Sequence, residues 1–424
     1  MEISHQSPKK SKLTLYILIA MVLGIVAGYY VHENYEANTV KSFADNIKLL
    51  TTIFLRLVQM IIAPIVFATL VVGIAKLGDL KTVGRVGGKA MLWFITASLV
   101  SLALGLLLVS IFKPGIGADT SHIDVSAVKD IVDKSQGFSL SKFVEHVVPK
   151  SVVEAMASNE ILQLVVFSIF FGVALTAVGK KGEPIINALD SLAHVALKMV
   201  TYVMYMAPLG VFGAMAAAIA KNGLGILGTF GKYIGSFYLG LAVLWLLLLF
   251  IGYLIFKNRL KQLIRRIASP MSIAFSTASS EAVYPKLVEE MERFGCNNKI
   301  VSFVLPLGYS FNLDGSMMYM TFASMFIAQA FGVTAITGDV GQQIIMLLVF
   351  LITSKGIAGV PRASLVVVLA TGGMFMKSEY VENGIALILA IDVFCDMGRT
   401  MTNVLGNALA TAAISKWEGE LKHP

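Results

Sequence analysis

Charge is scarce in this chain. Only 14% of its 424 residues are Asp, Glu, Lys or Arg, against about 25% in an ordinary soluble protein, while 56% are hydrophobic. That balance excludes a string of soluble domains, although the length alone would accommodate about three. Sulfur is scarcer still. Cys296 and Cys395 form no CxxC pair, which excludes a disulfide framework and a thiolate zinc site. Six histidines are scattered, and only His194 lies in an apolar stretch. Most Ser-His and Cys-His catalytic schemes fall away with them. Acidic charge is the minority sign, with 26 Asp and Glu against 34 Lys and Arg, a net charge of +8. In a soluble chain that excess would suggest nucleic acid. Here the basic residues sit in short loops between apolar runs, where they set membrane orientation, and no nucleic-acid partner is expected.

What the chain does have is long apolar runs. A spanning helix takes about 20 mostly apolar residues, and the runs 13–31, 49–75, 90–112, 161–179, 187–220 and 230–256 qualify. The fifth is too long for one straight crossing, and Pro208 is expected to bend it. Lys9, Lys10 and Lys12 ahead of the first run resemble the start of a signal peptide. The run has full spanning length and no small-residue cleavage site, so it reads as an uncleaved first helix. The N-terminal lysines, the stretch from Lys76 to Lys89, Lys180-Lys181 and the stretch from Lys257 to Arg266 alternate onto one side, which places that side in the cytoplasm. The polar stretch 113–160 is then an external connection.

After residue 262 the pattern changes. An apolar arm of about 12 residues at 267–278 meets Ser279-Ser280-Glu281, and an amphipathic arm starts at Ala282. The shape recurs at 342–375. There an arm Ile344–Thr353 reaches the polar tip Ser354-Lys355-Gly356-Ile357-Ala358-Gly359-Val360-Pro361, and a second arm Leu365–Thr371 follows. Each arm is too short to span. Two helical hairpins that enter the membrane and turn back explain both, provided protein or a polar cavity covers the tips. Each hairpin precedes a longer segment, 300–331 and 384–415. Paired, interrupted apolar segments of this kind point to a transporter site.

The segment 300–331 carries Asn312-Leu313-Asp314-Gly315-Ser316 in its middle. An Asp at the centre of a spanning helix costs about 3 kcal/mol on insertion scales, and Gly weakens a helix by about 1 kcal/mol relative to Ala. Both costs make sense if the helix unwinds there, so that free carbonyls and Asp314 ligate a small, hard cation. The last segment adds Asp392, Asp396, Arg399, Asn403 and Asn407. At about 100° per residue they fall on one stripe about 80° wide, with Thr400 at its edge. Three ionisable groups on one stripe inside a membrane face protein or a polar cavity. Arg399 offers a planar fork of donors for a carboxylate, and Asp396 is placed to hold an ammonium group. A site for an anion beside a site for a cation describes an amino acid, and an acidic one would engage Arg399 with its extra carboxylate. Hydroxyls and backbone N–H groups at Ser279-Ser280 favour anions as well. One charge moved against the membrane potential costs about 2.3 kcal/mol per 100 mV, so an acidic amino acid requires at least two co-transported cations for an electrical gain.

With these motifs together the chain resembles the dicarboxylate/amino acid:cation symporter family, the bacterial and archaeal relatives of the excitatory amino acid transporters. The matching residues are Ser279-Ser280-Glu281, Asn312-Leu313-Asp314-Gly315-Ser316, Gly356-Ile357-Ala358-Gly359-Val360-Pro361, Asp396-Met397-Gly398-Arg399-Thr400-Met401-Thr402-Asn403 and Met60-Ile61-Ile62-Ala63-Pro64. The resemblance implies an all-α polytopic protein of the bacterial inner membrane, with cytoplasmic termini. It implies eight transmembrane segments plus two re-entrant hairpins in the elevator-type glutamate transporter fold, assembled as a homotrimer in the lipid bilayer. Within 1–256, spans two, four and five would form the trimerisation scaffold, and spans three and six would join the transport core at 257–424. Substrate contacts would be Ser279, Ser280, Val360, Asp396, Arg399, Thr400 and Asn403, with Met317 beside them. Cation contacts would be Ser98, Gly308, Ser310, Asn312, Asp314, Ser354, Ile357, Asn403 and Asn407.

Three departures bear on the coupling ion. Asn407 stands where sodium-coupled members commonly carry Asp, Thr96-Ala97-Ser98 stands where they tend to carry Thr-Ser, and Glu281 adds a carboxylate at the first tip. They make the chain similar to proton-coupled glutamate symporters, with Glu281 or Asp392 as candidate proton carriers, so protons and/or sodium drive uptake and no enzymatic cofactor is expected. Arg362 follows Pro361, where small residues are common. It either snorkels to the surface or adds an anion contact. The expected function is symport of glutamate or aspartate. The alternative is symport of a C4-dicarboxylate, whose family members share the Ser-Ser-Glu tip but generally lack the Asp at 396. More remote are a passive channel and an intramembrane aspartyl protease built on Asp314 and Asp396. Arg399 and the two hairpins argue against the protease.

Overall fold

The computed structural model describes residues 12–77, 80–118, 120, 147–223, 230–354, 363–389 and 391–422. These are helical nearly throughout. In chain order the main helices are α1 (Lys12–Asn34), α2 (Ala37–Leu77), α3 (Leu80–Phe112), α4 (Ile161–Val178), α5 (Glu183–Met204), α6 (Ala207–Asn222), α7 (Gly231–Phe256), α8 (Leu260–Thr277), α9 (Tyr284–Phe294), α10 (Asn298–Phe311), α11 (Asp314–Ala330), α12 (Val340–Thr353), α13 (Ala363–Gly372), α14 (Ser378–Leu389) and α15 (Asp392–Trp417). Short helical turns lie at Val152–Ala157 and Thr334–Thr337. Among the described residues, extended pairing is limited to one isolated bridge between Cys296 and Leu421.

Among the described residues, five helical stretches are long and apolar enough to cross a membrane: Leu15–Asn34, Ala37–Ala75, Lys81–Phe112, Ile161–Met204 and Gly231–Thr277. The fourth and fifth each contain more than one helix. Where a bend was expected near Pro208 the run divides at the junction of α5 and α6, with the proline in the first turn of α6, where its missing N–H is harmless. Pro64, by contrast, lies inside the unbroken α2.

α1, α2 and α6 pack as one layer, with α4 and α5 also against α2. Their approach is close because it runs over glycine. A Cβ on Gly24 or Gly28 of α1 would press on the α6 backbone, and one on Gly210 or Gly213 of α6 would press on Phe54 or on the α2 backbone. The outer face of α1 stays apolar and exposed, with Leu15, Leu23, Val26 and Tyr30 uncovered, the composition that a hydrocarbon environment accepts.

The rest of the chain builds a second layer. α8 and α9 pack against one another around a tip at 278–283, where Ala278 takes the left-handed conformation with φ 50°. α12 and α13 form the second pair. In each expected pair the two arms lie against one another, and α8, beginning at Leu260, extends beyond its apolar run. The expected long segment 384–415 is not continuous. α14 ends at Leu389 and α15 begins at Asp392 with Ile391 as its N-cap, so Asp392 sits in the first turn of α15, where the helix dipole favours a carboxylate. α15 packs against α7, α8, α10 and α11 and is the axle of this layer. Its C-terminal end is tied down by Glu418, which accepts from Arg85 at 2.8 Å and Lys89 at 2.6 Å, and by Trp417 against Trp93.

Candidate functional site

The helix breaks where its polar cluster falls. α10 ends at Phe311, Asn312 and Leu313 adopt φ/ψ of −117/67° and −103/59°, and α11 begins at Asp314. Asn312 and Asp314 are fully buried. Across the break stands α15. Asn312 Nδ2 donates to Asn407 Oδ1 at 3.2 Å and, over a longer 3.4 Å, towards Asp314 Oδ2. Ser101 on α3 reaches Asp314 Oδ1 at 3.5 Å, and Ser98 reaches the Phe311 carbonyl at 3.4 Å. Two glycines make this possible. A Cβ on Gly406 would fall on the Asp314 carboxylate, and one on Gly308 would fall on the Asn407 amide oxygen.

Some polar atoms here have no protein partner. Asn312 Oδ1, Ser310 Oγ and Asn407 Nδ2 are buried and unpaired, an arrangement that costs about 1–3 kcal/mol per group unless something else satisfies it. Two of the three are oxygens beside a buried carboxylate. That donor set suits a small, hard cation and lacks the imidazole and thiolate of a transition-metal site.

The next turn of α15 holds the second cluster. Asn403 Oδ1 accepts from the Gly315 N–H at 2.9 Å and the Ser316 N–H at 3.3 Å, and its Nδ2 donates to Ser316 Oγ at 3.0 Å. Two of the four free N–H groups at the start of α11 are thus satisfied by α15. Gly315 lies so near the Arg399 carbonyl that a side chain would not fit. Asn403 joins the cation cluster to the Arg399 cluster.

Arg399 has a side chain 9% exposed. Its Nε donates to Asp396 Oδ1 at 2.7 Å, its Nη1 donates to Ser364 Oγ on α13, and its guanidinium lies 5.5 Å from the Tyr319 ring centre. Thr400 Oγ1 donates to the same Asp396 oxygen at 2.9 Å. Tyr319 in turn donates to Asp392 Oδ1 at 2.6 Å. The stripe read from the sequence is therefore real: Asp392, Asp396, Arg399, Thr400, Asn403 and Asn407 all meet α11, α13 or α10, or one another. The guanidinium is thus buried beside one carboxylate and one hydroxyl, with an aromatic ring at its face.

Other expected site residues are placed less centrally. Ser279 Oγ accepts from the Ala282 N–H at 3.2 Å and closes the first tip, and the Ser280 carbonyl accepts from the Val283 N–H at 3.2 Å. Among the described residues, neither is hydrogen-bonded to α15. The turn from Glu281 to Val283 packs against α2. Ser354 donates to the Leu351 carbonyl at 3.2 Å. Met317 is fully buried in the core. Val360, Ile357 and Arg362 lie outside the described residues. Ser101, Ser316, Tyr319, Ser364 and Gly406 are site residues that the sequence pattern did not single out for a role. Ser316 alone was within reach, as the last residue of the motif at 312–316.

The sodium:dicarboxylate symporter family model matches residues 13–417. The chain is 39% identical over 420 residues to a C4-dicarboxylate transport protein of Rhizobium johnstonii, covering 98% of this chain and 91% of that one. It is 40% identical over 432 residues to a protein of the same name from Acinetobacter baylyi, covering 98% and 93%. With the Bacillus subtilis protein of that name it shares 38% identity over 409 residues, covering 96% and 94%. A match of this extent, over helices of this kind, makes the chain a transporter rather than an enzyme, and a member of the sodium:dicarboxylate symporter family.

Proposed function

We propose that this protein is a symporter that takes up a C4-dicarboxylate together with cations. The observation that carries the substrate class is the state of Asp396. The sequence pattern reserves this carboxylate for a substrate ammonium. In the structure its Oδ1 already takes two donors, Arg399 Nε and Thr400 Oγ1. Asp396 thus serves as the counterion of Arg399, and a substrate with two carboxylates and no ammonium does not require it for anything else. The relatives named as C4-dicarboxylate transport proteins point the same way. The acidic amino acid expected from the stripe alone gives way to this substrate. It keeps one argument, the presence of Asp396 itself.

One substrate carboxylate would take the outer donors of Arg399, joined by Thr400 and Asn403. The other would meet hydroxyls and N–H groups of the hairpin tips at Ser279, Ser280 and Val360. The cation region is Asn312, Asp314, Asn407, Ser310 and the Gly308 carbonyl. A dianion driven by the membrane potential requires at least three cations, because each net charge moved counts for about 2.3 kcal/mol per 100 mV. Asn407 and Glu281 favour protons in place of part of the sodium, with Glu281 and Asp392 as the carriers. We further propose eight spans and two re-entrant hairpins in an inner-membrane trimer, with both termini cytoplasmic. α3 and the layer from α7 to α15 slide as an elevator against a scaffold of the second, fourth and fifth spans.

Proteoliposome uptake of radiolabelled succinate, glutamate and aspartate under separately imposed Na⁺ and H⁺ gradients tests both substrate and ion. Saturable, concentrative succinate uptake that responds to each gradient is the expected result. Uptake of glutamate at tenfold higher kcat/KM than succinate would return the substrate to an amino acid. Dependence on sodium with no response to a pH gradient would remove the proton.

A further inference from the structure

No Asp or Glu occurs between Asp190 and Glu281, yet five basic residues fall within the stretch from Lys257 to Arg266. They part into two sets. Arg259 and Arg266 turn inward. Arg259 donates to the Phe294 carbonyl at 2.9 Å and the Lys422 carbonyl at 3.0 Å, and its guanidinium lies over the Phe294 ring. Arg266 pairs with Glu290 across 3.6 Å. Lys257, Lys261 and Arg265 are exposed. Among the described residues, none of these three has a carboxylate within ion-pair distance. They stand four residues apart, the spacing of one helical stripe, while Leu263 and Ile267 are buried on the other side of α8. What precedes the cations is patterned too. Leu246, Phe250, Tyr253 and Leu254 of α7 are exposed, again at the spacing of one helical face. An apolar stripe thus passes through a tyrosine into a stripe of cations. Hydrocarbon, interface and headgroup follow one another in that order at a membrane surface. Lys257 adopts φ 49° and ψ −125°, a conformation that glycine reaches freely, so the backbone alone does not call for a lysine there.

We propose that Lys257, Lys261 and Arg265 bind the phosphodiester headgroup of an anionic phospholipid whose acyl chains lie along the exposed face of α7. The site rests on α7 crossing the membrane and is independent of which substrate is carried. Charge complementarity selects an anionic headgroup, and continuity with the apolar face selects a lipid over free phosphate. Each basic side chain at a membrane surface favours anionic lipid by about fivefold, so the three together give a preference of about a hundredfold over a zwitterionic lipid. A headgroup held there anchors the turn that Arg259 fastens to the end of α9 and to Lys422.

Native mass spectrometry of the purified full chain, titrated with phosphatidylglycerol and with phosphatidylcholine, reads this preference directly. The wild type should favour phosphatidylglycerol about a hundredfold, and Lys257→Gln with Lys261→Gln should cut that preference about twentyfold. Lys257→Arg with Lys261→Arg should keep it. The charge-matched control is Lys180→Gln with Lys181→Gln, which removes two cations close in sequence to Glu183 and should change the preference at most about twofold. Lys257→Gly guards against misfolding. It suits the backbone, so the variant should melt no lower than the wild type in lipid-free detergent and still lose about fivefold in preference. Glycerophosphoglycerol, the same headgroup without chains, should not compete. No preference in the wild type, equal losses in the two Gln double variants, an unchanged preference in Lys257→Gly, or competition by glycerophosphoglycerol at equal concentration would each overturn the site. The assay involves no transport, so a lost lipid preference leaves the dicarboxylate reading intact, and failed succinate uptake leaves the lipid site intact.

Discussion

The layer of α1, α2 and α6 and the layer of α10, α11 and α15 are both tightly packed, by opposite means. In the first, glycines let backbones touch, and few polar groups take part. Thr51 donates to the Gly210 carbonyl at 2.8 Å, and His32 Nδ1 lies 2.7 Å from the Ala220 carbonyl. In the second, glycines at 308, 315 and 406 make room for side chains and backbone that carry charge or amides. The same residue type closes one layer and opens the other. Apolar contact tolerates sliding and repacking, because dispersion is non-directional. A polar cluster with unpaired atoms is complete only with its ligands. The first layer is complete in itself, and the second keeps polar atoms for a ligand.

Breaking the Arg399–Asp396 pair should have the largest effect. Arg399→Ala leaves a buried carboxylate without its counterion, a loss of about 3–5 kcal/mol in comparable buried pairs. Adding Asp396→Asn should restore most of the melting temperature of the purified protein and none of the uptake. Recovery of uptake in the double variant would show that Arg399 serves stability alone.

Glycine substitutions sharpen the comparison next. Gly406→Ala and Gly28→Ala should each cost about 1–3 kcal/mol by overpacking, read as similar drops in thermal stability. They should part in function. Gly406→Ala displaces the Asp314 carboxylate and should weaken the response of uptake to cation concentration about tenfold or more, the scale of one hydrogen bond to a charged group. Gly28→Ala should keep that response in whatever protein remains folded. Equal cation responses in the two would erase the distinction between the layers.

The smallest effect belongs to the tie between α3 and the end of α15. Burial pushes the Glu418 carboxyl up, but hydrogen bonds and charge from Arg85 and Lys89 outweigh it, and the group titrates below its ordinary value of 4.5. The tie is thus fully present above that value and is lost as pH falls through the lowered one. Arg85 is half exposed, so the worth of the pair is about 1 kcal/mol or less. Glu418→Gln should lower the melting temperature slightly at neutral pH and flatten its decline below pH 4.5. An identical acid profile for variant and wild type would remove the tie from the account.

Much of the binding layer was legible from residue types because it violates the rules of an apolar helix. Asp314 with Gly315 in a spanning run predicted the unwinding at Asn312–Leu313, and the helical period predicted the stripe on α15. Pro208 predicted a break in the fifth run. What stayed hidden depends on a partner distant in sequence. Ser364 is unremarkable until Arg399 is beside it, and Gly406 is one small residue in a helix until Asp314 needs its space. The junction between α14 and α15 carries no Gly or Pro signal. The role of Asp396 is not set by spacing for a related reason: a carboxylate one turn from an arginine is open to a substrate or bound to that arginine, and spacing alone cannot choose.

The central claim is that the buried oxygens around Asp314 and the guanidinium of Arg399 form one coupled site. Succinate affinity of the purified protein, measured with and without saturating sodium and at two pH values, tests it most directly, in the wild type and in Asp314→Asn. Coupling between two ligands is reciprocal and amounts to about 5–150-fold in typical cases. The account predicts that cation tightens succinate binding at least about tenfold in the wild type and does not change it in Asp314→Asn. A wild-type affinity indifferent to both ions, or an Asp314→Asn variant with undiminished response, would contradict it.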